Sequence, residues 1–147
     1  MLALSINEPK EFMQHLFKRG TFNAFEARSV TIHSFAYFEI AGEKPPVEEG
    51  EKGGYSNWEV LCPYVFHIIK GGEKPRSMKI VLSKNAPEEV HPNAAALFLN
   101  MTYENEKLTC TTATSQKKFE MDKQMDATWD VWVTDFFRQN GIGVEAV

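Results

Sequence analysis

Residues 122–136 read Asp122-Lys123-Gln124-Met125-Asp126-Ala127-Thr128-Trp129-Asp130-Val131-Trp132-Val133-Thr134-Asp135-Phe136, and the fold turns on this stretch. Met125, Trp129, Trp132, Val133 and Phe136 recur at i, i+4, i+7, i+8 and i+11, the apolar face of an amphipathic helix. Asp122 can cap its start and Asn140-Gly141 can end it. A helix with two indoles on one side needs a surface to bury them against. The preceding sequence offers one: residues 95–103 and 108–114 read as a hairpin turned at Glu104-Asn105-Glu106-Lys107.

Outward from this pair the pattern stays mixed. Leu2, Leu4 and Ile6 alternate with Ala3 and Ser5, as in a short half-buried strand. Asn7 is a fitting N-cap, Pro9 suits a first turn, and Phe12, Met13, Leu16 and Phe17 form one helical stripe that ends at Gly20. From residue 25 to 40 the alternation is β-like, and either one long bent strand or two strands meeting near His33-Ser34 would fit. Residues 42–57 are polar and rich in Gly and Pro, the composition of a flexible surface loop. Ser56-x-x-Glu59 has capping-box form, so a turn of helix is expected there, stopped by Pro63. Residues 64–69 then read as a strand, 71–75 as a turn, and 78–82 as the returning strand. Gly-Glu-Lys occurs at 42–44, 50–52 and 72–74 and reads as repeated turn chemistry. The expected architecture is one α+β domain over residues 1–147. It is a curved antiparallel sheet built from hairpins, with an N-terminal helix and a longer C-terminal helix packed on it.

The bulk numbers narrow the function classes. The chain has 147 residues, 43% of them hydrophobic and 24% charged, with a formal net charge of −4. A mild acidic excess argues against a protein that holds nucleic acid by neutralising phosphates. No apolar run reaches the roughly 18 residues of a membrane helix, so no membrane partner is expected. Cys62 and Cys110 have no Cys-x-x-Cys or His partner nearby, and free buried thiols are the simplest reading. The N-terminal stretch lacks a basic region before its short apolar run, which points to a cytoplasmic protein.

Candidate chemistry is sparse. The four histidines lie on separate elements, and only His33 and His67 are both on expected strands. No metal or cofactor is implied. Asp122, Asp126 and Asp130 line one stripe of the last helix, suiting a hard cation or, more simply, the positive end of the helix. Thr109-Cys110-Thr111-Thr112-Ala113-Thr114-Ser115-Gln116-Lys117-Lys118 sets a row of hydroxyls beside two lysines, which suits an anion, or else plain strand pairing. Gly50-Glu51-Lys52-Gly53-Gly54 superficially matches a phosphate cradle, but no strand precedes it and no helix opens on it. The indoles of Trp129 and Trp132 fit a packed core, or the wall of a cavity for an apolar ligand.

Leu4-Ser5-Ile6 with Phe12-Met13, Thr31-Ile32 through Phe35, Phe38, Ile40 and Gly42, Ile69-Lys70-Gly71 with Pro75, the stretch 109–115, and Asp122-Lys123 with Trp129-Asp130 carry a resemblance across nearly the whole chain. They resemble an uncharacterised family of small bacterial proteins, a domain of unknown function common in Firmicutes. Ala41 stands where the resemblance leads one to expect Asp, and Ala113 where it leads one to expect Gly. The resemblance implies a bacterial, intracellular, single-domain protein and names no reaction.

The leading expectation is a non-enzymatic binding or interaction module whose partner is another protein or a small apolar molecule, with a homodimer compatible. The alternative is a helix-grip-like carrier of a small apolar ligand. An enzyme is the third class, with a site assembled from His33, His67 and the Thr-rich strand. The candidate pocket residues are therefore His33, His67, Thr112, Ser115, Trp129 and Trp132, with no catalytic residue assigned.

Overall fold

Strict alternation in the second half of the chain sets the frame. In the computed structural model, which describes residues 1–45 and 54–147, β5 (Ala94–Glu104) and β6 (Lys107–Gln116) form the central hairpin. Its two-residue turn puts Asn105 and Glu106 at φ of 52° and 63°, the left-handed geometry that matches the twist of the flanking strands. Around it are β1 (Ala3–Ile6), β2 (Glu26–His33), β3 (Tyr37–Ala41), β4 (Ser77–Ser83) and β7 (Val144–Ala146). The order across the sheet is β3-β2-β4-β5-β6-β1-β7, and every neighbouring pair is antiparallel. The sheet is curved and not closed, with bulges at Arg28 and Ala95 where extra residues bend β2 and β5.

Register sorts the side chains onto two faces. One row runs Ile40–Val30–Ile80–Met101–Cys110–Leu4–Ala146 across all seven strands, and its interior members are buried. The adjacent row runs Glu39–Thr31–Lys79–Thr102–Thr109–Ser5–Glu145 and is polar throughout. The sheet therefore has one apolar face, and α1 (Pro9–Phe17), α2 (Trp58–Lys70) and α3 (Gln124–Gln139) cover it in one continuous core. Among the described residues, no helix is long and apolar enough to cross a membrane.

The α+β class and the curved antiparallel sheet agree with the sequence expectation. Several elements differ. Residues 64–69 belong to α2 and not to a strand, so the sheet gains its fourth strand through a helix instead of a hairpin. Trp58, Cys62, Val65 and Ile69 repeat at helical spacing, and that face is what the core selects. Pro63 does not end the helix. It removes the donor for the Glu59 carbonyl, but both residues face water, which can supply the missing bond. The 25–40 region resolves into two strands. Asn7 does not cap α1: Glu8 holds that position with no side-chain hydrogen bond. Asp122 stands before α3 and its carboxylate accepts from the Gln124 N–H at 3.2 Å. Strand β7 was not anticipated.

The expected loop at 42–57 is ordered at its described ends. Glu43 bridges Tyr55, Lys44 N–H donates to Gly54 O, and Ser56 N–H donates to Gly42 O. Gly42 is required here, since a Cβ would lie 1.6 Å from the Ala27 carbonyl oxygen. The middle of the expected loop and most of the glycine-rich stretch at 50–54 lie outside the described residues.

Candidate functional site

The structure separates the residues singled out for a pocket. His33 ends β2 and is exposed, on the polar face with Tyr37 against it. His67 is exposed on α2. Thr112 is buried on the apolar face, three strands from His33 and five residues beyond the pairing row that His33 shares with Ser77, Glu104 and Lys107. Strand spacing and rise put the two roughly 20 Å apart. Ser115 is exposed and points to the opposite face from Thr112. His33 and the Thr-rich strand are therefore not brought together.

Two separate signals do converge. The Thr112 hydroxyl donates to Asp130 Oδ1 at 2.5 Å and accepts the Leu2 backbone N–H at 2.8 Å. The Thr114 hydroxyl donates to Asp126. Carboxylates four apart on α3 thus meet hydroxyls two apart on β6, because a helical turn and a two-residue strand step are of comparable length. This ladder docks α3 on the sheet and ties down the first strand. A pocket of about 230 Å³ lies over it, lined by Met1, Thr112, Ala113, Thr114, Asp126 and Asp130. An anion placed there would meet two carboxylates, so the hydroxyl row does not suit a phosphate. Among the described residues, no group of three or more His, Cys, Asp or Glu is placed to hold a metal ion.

The indole face of α3 is filled by protein. Trp129 is fully buried and its Nε1–H donates to the Phe98 carbonyl at 3.0 Å. Trp132 is half-buried and stacks between Trp129 and Phe136, with ring centroids 5.1 and 5.2 Å apart. Phe25 meets both Trp132 and Phe136 edge-on. Lys84 Nζ lies 5.5 Å from the Trp132 ring.

One concavity among the described residues was not legible in the sequence. It is a groove of about 790 Å³ built from three separated pieces of chain. The first turn of α1 supplies Glu8, Pro9, Lys10 and Glu11, with Met13 behind them. The last turn of α2 supplies Ile69, and the connection to β4 supplies Lys74 and Pro75. Met78 of β4, Tyr103 of β5 and Glu106 of the β5–β6 turn complete it. Met78 and Tyr103 are buried, while Met13, Ile69 and Pro75 are half-buried. The floor is therefore apolar and the rim ionic. Across the rim Lys74 Nζ contacts Glu106 Oε1 at 2.6 Å. That contact raises the lysine above its ordinary value and lowers the glutamate below its own. Glu11 is engaged by Arg19 at 2.9 Å.

Beside this groove His15 is buried in a closed hydrogen-bonded chain. Arg19 can only donate, so its contact of 3.2 Å makes His15 Nε2 the acceptor. Nδ1 then carries the proton and donates to the Thr21 hydroxyl at 2.7 Å. Burial, and next the Arg19 charge, lower the histidine's pKa, with Glu11 opposing. The thiols are buried as expected: burial pushes Cys110 up to about 12 and also raises Cys62, which suits neither as a nucleophile.

The model of DUF5721, a family of unknown function, matches residues 15–145. No curated protein and no solved structure matches the chain.

Proposed function

We propose that this chain, which belongs to the DUF5721 family of unknown function, is a non-enzymatic binding module whose ligand sits in the groove between α1, α2 and the start of β4. The observation that carries this reading is the groove itself. Its volume of about 790 Å³ falls within the range of roughly 300–1,000 Å³ typical of small-molecule sites. An apolar floor supplies affinity through area removed from water, and a charged rim keeps the opening hydrated. The groove also favours this reading over a helix-grip-like carrier. A carrier cavity under α3 would need room where Trp129, Trp132 and Phe136 stack on one another.

The test is a native mass measurement and a thermal-shift screen on purified full-length chain, beside Met13→Glu. Met13 is half-buried at the edge of the core and lines the groove, so the substitution puts a carboxylate on its floor. The expected result is a retained or stabilising small molecule in the wild type that the variant loses. Equal retention by both proteins would remove the groove as the binding site.

A further inference from the structure

We infer that the ligand of this groove is uncharged: a hydrocarbon body carrying one hydroxyl or carbonyl that seats on Tyr103. The inference rests on the groove being the ligand site. Its ionic rim is already balanced. Glu11 is held by Arg19, and Lys74 and Glu106 hold each other. Glu8 and Lys10 remain, of opposite sign and both exposed. The positive end of α1 faces the carboxylates of its own first turn. Glu8 and Lys10 cancel each other, so a charged ligand would lose hydration on the apolar floor and meet no net counter-charge on the rim.

Tyr103 supplies the one polar demand inside. It is 9% exposed, and its hydroxyl proton finds no acceptor among the described residues. Lys74 lies within hydrogen-bond reach of it and is itself only a donor. Every fully buried side-chain polar atom among the described residues has a partner, so this hydroxyl opens onto the groove. A ligand oxygen there would accept its proton while the alkyl body covers the floor of Met13, Ile69 and Met78.

The experiment titrates the full chain with 1-decanol, decanoate and decylamine, each below its aggregation concentration. Calorimetry gives the affinities, and methyl NMR shifts of Met13 and Met78 locate the binding. Decanol is expected to bind about tenfold more tightly than either ion. Tyr103→Phe, which keeps the ring volume, is expected to weaken decanol roughly five- to tenfold and leave decylamine, which has no acceptor for the lost proton, unchanged. Tighter binding of either ion in the groove, equal binding of all three, or indifference of decanol to Tyr103→Phe overturns the uncharged-ligand inference and leaves the groove standing. Binding of none of the three, or shifts confined to other methionines, overturns the groove reading itself.

Discussion

Replacing Trp129 and Trp132 separately by alanine distinguishes the core face of α3 from its flank. Trp129 is 0% exposed, and truncating a fully buried Trp costs about 3–5 kcal/mol. The same change strips the Phe98 carbonyl of its donor, adding roughly 1 kcal/mol. Trp132 is half-buried, so about half the burial loss applies, near 2 kcal/mol. Its stacks on Trp129 and Phe136 add about 0.5–1.5 kcal/mol each, a sum of about 3–5 kcal/mol, and Trp129→Ala also loses the first of these stacks, which brings its own sum to about 5–7 kcal/mol. The expected gap between the variants is therefore about 2 kcal/mol, close to 1 M in urea midpoint for a slope near 2 kcal/mol/M. Urea titrations should be followed by far-ultraviolet circular dichroism, because each variant loses a fluorophore. Equal midpoints, or a larger loss for Trp132→Ala, would refute the assignment of Trp129 to the core and of Trp132 to the margin.

Three further outcomes are expected. Thr112→Val keeps the branched shape but orphans the Leu2 N–H and removes a bond to Asp130, so it should cost about 1–3 kcal/mol. Hydrogen exchange at the residue-2 amide should quicken markedly, and an unchanged rate would break the link drawn between α3 and the first strand. His15 has a folded pKa below its unfolded one, so the unfolded chain binds the proton first and stability falls as pH drops through that window. His15→Gln should flatten this part of the profile between about pH 7 and its folded pKa, where the unperturbed value is near 6.5, and an NMR titration of the ring checks the direction. Gly42→Ala forces a methyl onto the Ala27 carbonyl and should cost more than about 3 kcal/mol in a thermal melt. A near-neutral result would mean that the close approach of β2 to the 42–45 segment is wrong.

Local periodicity explains what could be read in advance. The last helix and the β5–β6 hairpin each satisfy one period over ten or more residues, so their faces were visible without knowing any partner. Phe137 escaped the apolar stripe although it is fully buried, because Phe136 beside it filled the same expectation. Helix α2 reads as a strand in the sequence since Val65, Ile68 and Ile69 favour strands and Pro63 argues against a helix. Its helical spacing was present, but only burial decides between two periods in a short apolar run. The rungs Thr112–Asp130 and Thr114–Asp126 joined two motifs noticed separately, and no sequence rule supplies the register that pairs them. The groove was invisible for a related reason. Met13, Ile69, Met78 and Tyr103 are ordinary core residues in their own segments, and only the topology leaves space among them.

The position of β1 has a consequence in time. Its partners are β6 on one side and β7 on the other, so Leu4 waits for Cys110 and Ala146. A chain emerging from the ribosome can pair β2 with β3 and β4, and β4 with β5, while β1 still has nothing to pair with. Closure over such a separation is slow, and the unpaired apolar segment is exposed to off-pathway association meanwhile. Refolding should accordingly be limited by docking of β1 between β6 and β7.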